Sequence, residues 1–238
     1  VLGNIDIWGL IWPLFLILMG AWFILGTLNR RPAEREHVEI PLDSAQSAHL
    51  LVQHGAGRLD IYAGAGSGNL VEGDFGGGLD FHTQRSGDQL EVRMRMPSQF
   101  FPFFWMPGYS LDWSFGLSKD IPLSIEIGSG ANDARLDFSE LKISKLTLKS
   151  GVSSTSLKLP TSAGYTQVRV ESGVSSVNLH VPESVAARIR SQSGLSSINL
   201  DRNRFPKSAG FYQSLDYDQA QNKVEIDVQM GVGSVSVK

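Results

Sequence analysis

Six times along this chain a glycine is flanked by apolar residues at the same four offsets, five and three positions before it and four and six after it. Leu50 and Val52 precede Gly55, with Leu59 and Ile61 beyond; Ile125 and Ile127 precede Gly130, with Ala134 and Leu136 beyond. Leu146 and Leu148 lead to Gly151, Thr155 and Leu157, and Val168 and Val170 lead to Gly173, Val177 and Leu179. Ile189 leads to Gly194, Ile198 and Leu200, with Ser191 breaking the pattern, and Ile226 and Val228 lead to Gly231, Val235 and Val237. Alternation with a period of two is the signature of a strand with one face turned inward; it argues against a helix and against a parallel strand buried on both faces. Gly130, Gly151, Gly173 and Gly194 lie 21, 22 and 21 residues apart, a regularity that implies stacking. The expected fold is all-β: strand, glycine turn and returning strand, stacked into two facing sheets over residues 42–238, with the irregularly spaced first and last copies as caps. The glycines are expected to supply positive φ at the turns, and neighbours such as Ser150, Ser153 and Ser154 to bond nearby backbone.

The segment before the repeat is of another kind. No charge occurs between Ile7 and Leu28, and 22 residues rising about 1.5 Å each give roughly 33 Å, the thickness of a hydrocarbon core. Residues 1–29 therefore read as a transmembrane anchor, with Trp8 and Trp12 at one interface and Pro13 near enough to the first turn to be tolerated. A signal peptide fits less well, because no basic residue precedes the run and no small-residue cleavage pattern follows it. Arg30, Arg31 and Arg35 follow the run, which places the C-terminal domain in the cytoplasm after a charged linker over 30–41. The chain opens on Val1 rather than Met, as a processed chain or a piece of a longer one does. A net charge of -3 gives no reason to expect nucleic acid, and the absence of cysteine excludes disulfides and thiolate metal sites.

Chemistry is sparse. His37, His49, His54, His82 and His180 are scattered singly, without the spacing that puts two ligands on one helical face, so no metal site is expected. Gly64 to Gly68 lack a following helix to hold a phosphate, the glycines from Gly73 to Gly78 read as a loop or hairpin turn, and Asp74 and Asp80 beside them read as turn formers. No serine has a nucleophile-elbow context. No catalytic residue and no cofactor is expected. One stretch departs from what the repeat needs, an insertion over 97–119 carrying Phe100, Phe101, Phe103, Phe104, Trp105, Tyr109, Trp113 and Phe115, interrupted by Pro102 and Pro107. Two readings compete: a plug folded over one end of the stack, or an interaction loop that touches a membrane or a partner.

The anchor reading Ile11-Trp12-Pro13-Leu14 through Trp22, and the closing Gly231-Val232-Gly233-Ser234-Val235, resemble the LiaF-like, toastrack-domain family of bacterial membrane proteins, of the cell-wall-active antibiotic response type. The resemblance implies a β-repeat toastrack fold and, as in the best-known relatives, envelope-stress sensing through a partner sensor kinase. The chain departs from the family pattern in showing one membrane helix where such proteins usually carry more. The expectation is a non-enzymatic, membrane-anchored regulatory or scaffolding protein, with membrane lipid and an integral membrane protein as partners and room for a homo-oligomer. The alternative is a single-helix accessory subunit of a larger membrane complex, or an anchored β-repeat polymer.

Overall fold

A computed structural model of the chain describes residues 7–28, 35–97, 111–208 and 210–238, with side chains also undescribed at 7–10, 23–28 and 193–196. Among the described residues the helix α1 (Ile7–Leu28) precedes strands β1 (Arg35–Pro41), β2 (Ser47–Ala63), β3 (Asn69–Gly76), β4 (Asp80–Ser86) and β5 (Gln89–Arg95). After the insertion come β6 (Trp113–Leu117), β7 (Pro122–Asp137), β8 (Lys142–Lys158), β9 (Tyr165–His180), β10 (Ala186–Leu200), β11 (Lys207–Ser208), β12 (Phe211–Gln213) and β13 (Lys223–Val237). The protein is predominantly β. Among the residues of α1 with described side chains, 11–22, no helix is long and apolar enough to cross a membrane.

Each repeat copy is one long strand, and successive copies pair in parallel, β2 with β7, β7 with β8 and β8 with β9. This corrects the expectation of separate strands joined by a turn: alternation reports which face is buried and is silent on strand direction. The strands must nevertheless fold back. An unbent strand of the length of β7 would span about 53 Å, yet Lys142, which pairs with Pro122 at the start of β7, follows Asp137 at its end by five residues, a reach of roughly 17 Å. The bend falls at the glycine. In every ladder between repeat copies the pairing skips it: Ser129 pairs with Ser150 and Ala131 with Val152, but Gly130 and Gly151 are unpaired.

At that corner the inward parity changes. Leu146 and Leu148 are buried before Gly151, Thr155 and Leu157 after it; Val168 and Val170 are buried before Gly173, Val177 and Leu179 after it. Both arms of each bent strand thus turn their apolar side chains into one core between two facing layers. The corner glycines Gly55, Gly130, Gly151, Gly173 and Gly231 are not in the left-handed region, contrary to expectation; it is space that requires them. They stack in a column, and a Cβ on Gly130 would lie 2.7 Å from the Gly55 carbonyl oxygen, on Gly151 2.8 Å from that of Gly130, and on Gly173 2.9 Å from that of Gly151.

The final copy is not a cap. β13 lies between β9 and β10 and pairs in parallel with both, so the last strand of the sequence is interior to the stack. The caps come from elements outside the repeat: β6, β3 and β1 beyond β2 at one end, and β12 with β11 beside β10 at the other. Residues 35–41, expected as linker, form the edge strand β1, because Val38 and Ile40 alternate inward while Arg35, Glu36, His37 and Glu39 stay in water. The glycines between Gly73 and Gly78 likewise divide, with Gly73 and Gly76 inside β3 and only Gly77 and Gly78 taking positive φ in the turn after it.

Candidate interaction site at the corner of the stack

Three features meet at the corner end. Arg35, where the chain enters the domain, pairs with Gly76, whose N–H donates to the Asp112 carbonyl at 2.9 Å. The insertion leaves after Met96 and Pro97, whose side chains lie beside the corner at Gly55 and the turn at Gly78. It returns at Leu111, whose carbonyl accepts a bond from His54 Nε2 at 2.8 Å, one residue before the corner glycine of β2. Gly57, at φ +113°, leaves room for the Leu111 backbone, which would stand 2.9 Å from a Cβ there, and the Arg58 N–H donates to Asp112 Oδ1 at 2.9 Å. Both roots of the aromatic insertion and the point of chain entry therefore lie at one place.

Of the aromatic residues singled out in the insertion, Trp113 and Phe115 are fully buried on β6 and belong to the core. For these two the interaction-loop reading is corrected: they alternate inward on a strand bound to β2 and β3. Trp113 donates its indole N–H to the Gly76 carbonyl at 3.2 Å, meets Phe75 edge-on with centroids 5.3 Å apart, and packs 5.1 Å from the His54 ring. Phe75 stacks on Phe115 at 5.4 Å. Phe100, Phe101, Phe103, Phe104, Trp105 and Tyr109 lie outside the described residues, as do Arg30 and Arg31 and the side chain of Trp8. Trp12 is exposed on α1, stacked on Phe15, and Arg35 is exposed at the start of β1.

Sequence reasoning missed the residues that follow the corner glycines. Ala56, Ala131, Val152, Val174, Val232 and Leu195 stand in one register row across six strands. At about 4.8 Å per strand the row runs roughly 24 Å. Val152, Val174 and Val232 are 57%, 49% and 47% exposed, an apolar ridge along the outside of the corner. The signal was in the sequence as the recurring Ser-Gly-Val-Ser-Ser, but which way the valine points depends on the bend. Hydroxyls line the ridge, and they bond one another rather than backbone: Ser150 Oγ meets Ser153 Oγ at 2.9 Å and Ser172 Oγ at 3.0 Å.

His54 is the buried titratable group of this end. Desolvation pushes its imidazole below the ordinary 6.5, opposed by the Leu111 carbonyl and the Asp112 charge, and its Nδ1 has no partner among the described residues. Unfolding at mildly acid pH thus takes up a proton that the native ring refuses. Stability present above pH 6.5 should be lost as pH falls below it, at a limiting slope of about 1.4 kcal/mol per pH unit. His37 works in the opposite sense, raised by its bond to Asp74, but it is exposed and screened. Urea unfolding from pH 7 to 5 should show the acid slope of His54→Gln reduced by up to one proton relative to the parent; equal slopes would refute the assignment.

Elsewhere, β1 and β3 bring His37, Glu39 and Glu72 together with one ligand atom each within 4.8 Å of one another, a proximity invisible in the sequence because it depends on pairing. The groups are already engaged: His37 bonds Asp74, and Glu72 accepts from the Gly66 N–H at 2.7 Å and from Asn69. Asp74 and Asp80, read as turn formers, sit on β3 and β4 and pair with His37 and Arg95. The outer face of the other arm carries compensated charge, with Lys149 on Glu126 at 2.8 Å and Arg169 on Glu171 at 2.6 Å.

A stack of bent parallel strands with a glycine column defines a β-repeat scaffold whose distinctive surface is its corner. Residues 29–180 match the family model of the N-terminal domain of toast_rack (DUF2154), more than half of the chain, and the protein belongs to that family. A crystal structure of a protein from Clostridium sporogenes ATCC 15579, described as a candidate cell adhesion protein, is similar at a TM-score of 0.78 and 20% identity, over 86% of this chain and 98% of that one. At that identity the likeness is one of fold. No curated protein matches the chain.

Proposed function

We propose that this protein is a non-enzymatic scaffold held at a bilayer by α1, with the corner of its stack turned to the lipid. The observation that carries the reading is the exposed valine ridge on the same end as the chain entry and both roots of the aromatic insertion. Nothing in the packing of the stack requires apolar side chains there, and exposed apolar rows mark interaction surfaces. The helix supports it: α1 packs on no strand among the described residues, and its large described side chains, Trp12, Phe15, Ile17 and Leu18 among them, are apolar and exposed, which suits lipid and not water. The residues from Phe100 to Tyr109 then belong to the same interface, where aromatic rings are favoured. In this reading Arg30, Arg31 and Arg35 sit on the cytoplasmic face of a bacterial inner membrane, and the stack presents its outer faces to an integral membrane partner, with envelope-stress signalling as the role.

A cysteine-free chain makes the test direct. Full-length protein in nanodiscs, carrying an environment-sensitive label at Val174→Cys, should emit at shorter wavelength than the same label at Ser156→Cys on the outer face of β8, and a quencher in the lipid should dim only the former. In intact cells both cysteines should resist a membrane-impermeant maleimide until lysis. Water-like emission at position 174 would remove the reading of the ridge, and labelling from outside would reverse the orientation.

A further inference from the structure

The corner of β2 is closed differently from those of the copies beside it. Just before the corner glycine, β7, β8 and β9 carry Ser129, Ser150 and Ser172 in one register row, and just after it Asn132, Ser153 and Ser175 in another. Two of these corners are tied across the bend, Ser129 Oγ donating to Asn132 Oδ1 at 3.1 Å and Ser150 Oγ meeting Ser153 Oγ at 2.9 Å. In the same rows β2 carries His54 and Gly57. Glycine has no side chain to complete such a tie, and another segment supplies it: the Leu111 backbone fills the room beside Gly57, and its carbonyl accepts from His54 Nε2 at 2.8 Å. A titratable ring thus stands where the neighbouring copies hold a hydroxyl, and it grips the chain just before β6.

That bond fixes the state of the ring. Donating through Nε2, a neutral imidazole keeps Nδ1 as a bare acceptor. His54 is 1% exposed, and its Nδ1 has no partner among the described residues. A second proton would bury both a charge and an N–H with no acceptor in reach, and each is costly. Around the ring, β7 sets Ser129 beside it, β6 brings Trp113 with Phe75 of β3 behind it, and the Met96 sulfur lies by the adjoining Gly55; none of these is charged. Arg58 on β2 and Arg95 on β5 are exposed. The charge that bears on the ring is Asp112, which together with the Leu111 carbonyl favours the imidazolium, and burial outweighs both. Asp112 is held to the same joint, its carboxylate by the Arg58 N–H and its carbonyl by the Gly76 N–H.

We propose that His54 is an acid-released latch: on protonation the ring turns out to water and lets go of Leu111, so that the joint between β2 and the chain entering β6 opens while the stack of repeat copies stays folded. The buried ring accepts a second proton only by leaving its site, and leaving breaks its bond to Leu111. Release sets in below pH 6.5, the value the freed ring regains, and grows by up to about tenfold per pH unit. It stays local because the neighbouring corners are tied by hydroxyls, which do not titrate in this range. A fall in pH on the side where the domain lies is the signal such a latch reads. The latch does not depend on what the corner faces, so its failure would leave the membrane reading standing, and the failure of that reading would leave the latch.

The test is amide hydrogen exchange on the full chain in nanodiscs, corrected for intrinsic rates and followed from pH 7 to pH 5. Protection of the Arg58 and Gly76 amides, which donate to Asp112, should fall by up to about twenty-fold over that range, while amides of β8 and β9 remain more than about tenfold better protected throughout. His54→Gln, whose side-chain amide can still donate to Leu111 and does not titrate, should hold both amides protected at every pH. His54→Met, which copies Met230 of β13 in the same row, should leave them poorly protected at every pH with an unchanged circular dichroism spectrum. Arg58 and Gly76 as well protected as β8 at pH 5, the parent's pH profile persisting in His54→Gln, or full protection in His54→Met would each overturn the proposal.

Discussion

Gly130→Ala is expected to lower stability by about 3 kcal/mol, whereas Gly128→Ala, two residues earlier in the same strand, should be neutral within roughly 1 kcal/mol. The two glycines differ in what lies beside them. A Cβ on Gly130 would stand 2.7 Å from the Gly55 carbonyl oxygen, while one on Gly128 would find its nearest atom, the Val52 carbonyl oxygen, at 4.0 Å. Neither has a positive φ, so backbone strain does not separate them. The clash is with main chain, which cannot swing aside as a side chain does, and every copy above and below is fixed by the same column. Gly151→Ala and Gly173→Ala should behave alike, and the double variant should lose more than either because neighbouring corners share one ladder. Thermal melts of the four single variants and the double decide it. Equal melting temperatures for Gly128→Ala and Gly130→Ala would show that the column tolerates a methyl group and that the repeat keeps glycine for another reason.

Trp113→Ala should cost about 3 to 5 kcal/mol, the range for large aromatic-to-alanine changes in cores. The indole is fully buried, its N–H is satisfied by Gly76, and it is the piece against which Phe75 and His54 pack. Its loss would open a cavity at the joint of β2, β3 and β6, the same joint that holds Leu111. Trp105→Ala provides the contrast: if the residues before Tyr109 serve the bilayer interface, that substitution should leave the melting temperature nearly unchanged and weaken membrane attachment instead. Trp113→Ala melting like the parent would contradict the burial described for β6.

The aromatic insertion shows where sequence reasoning stops. From composition it was one cluster with two readings, because Trp113 and Phe115 are adjacent in the chain to a run of similar rings. The structure divides the cluster, since the chain from Trp113 to Leu117 finds an edge on β2 and on β3 that no local pattern announces. His37, Glu39 and Glu72 are a second case, brought together only by the pairing of β1 with β3.

The sequence by itself determined the repeat, its period, the inward face of each arm and the place of each corner, because alternating burial and a residue without a side chain are local demands that every copy must meet. Tertiary structure alone decided that the copies run parallel, that the valines after the corners point outward, and that β13 enters between β9 and β10. The physical reason is the same in each case. A strand's burial pattern specifies which side faces the core but leaves its neighbour unnamed, and with near-identical copies in one chain the choice of neighbour rests on the links between copies and on what the caps have already covered.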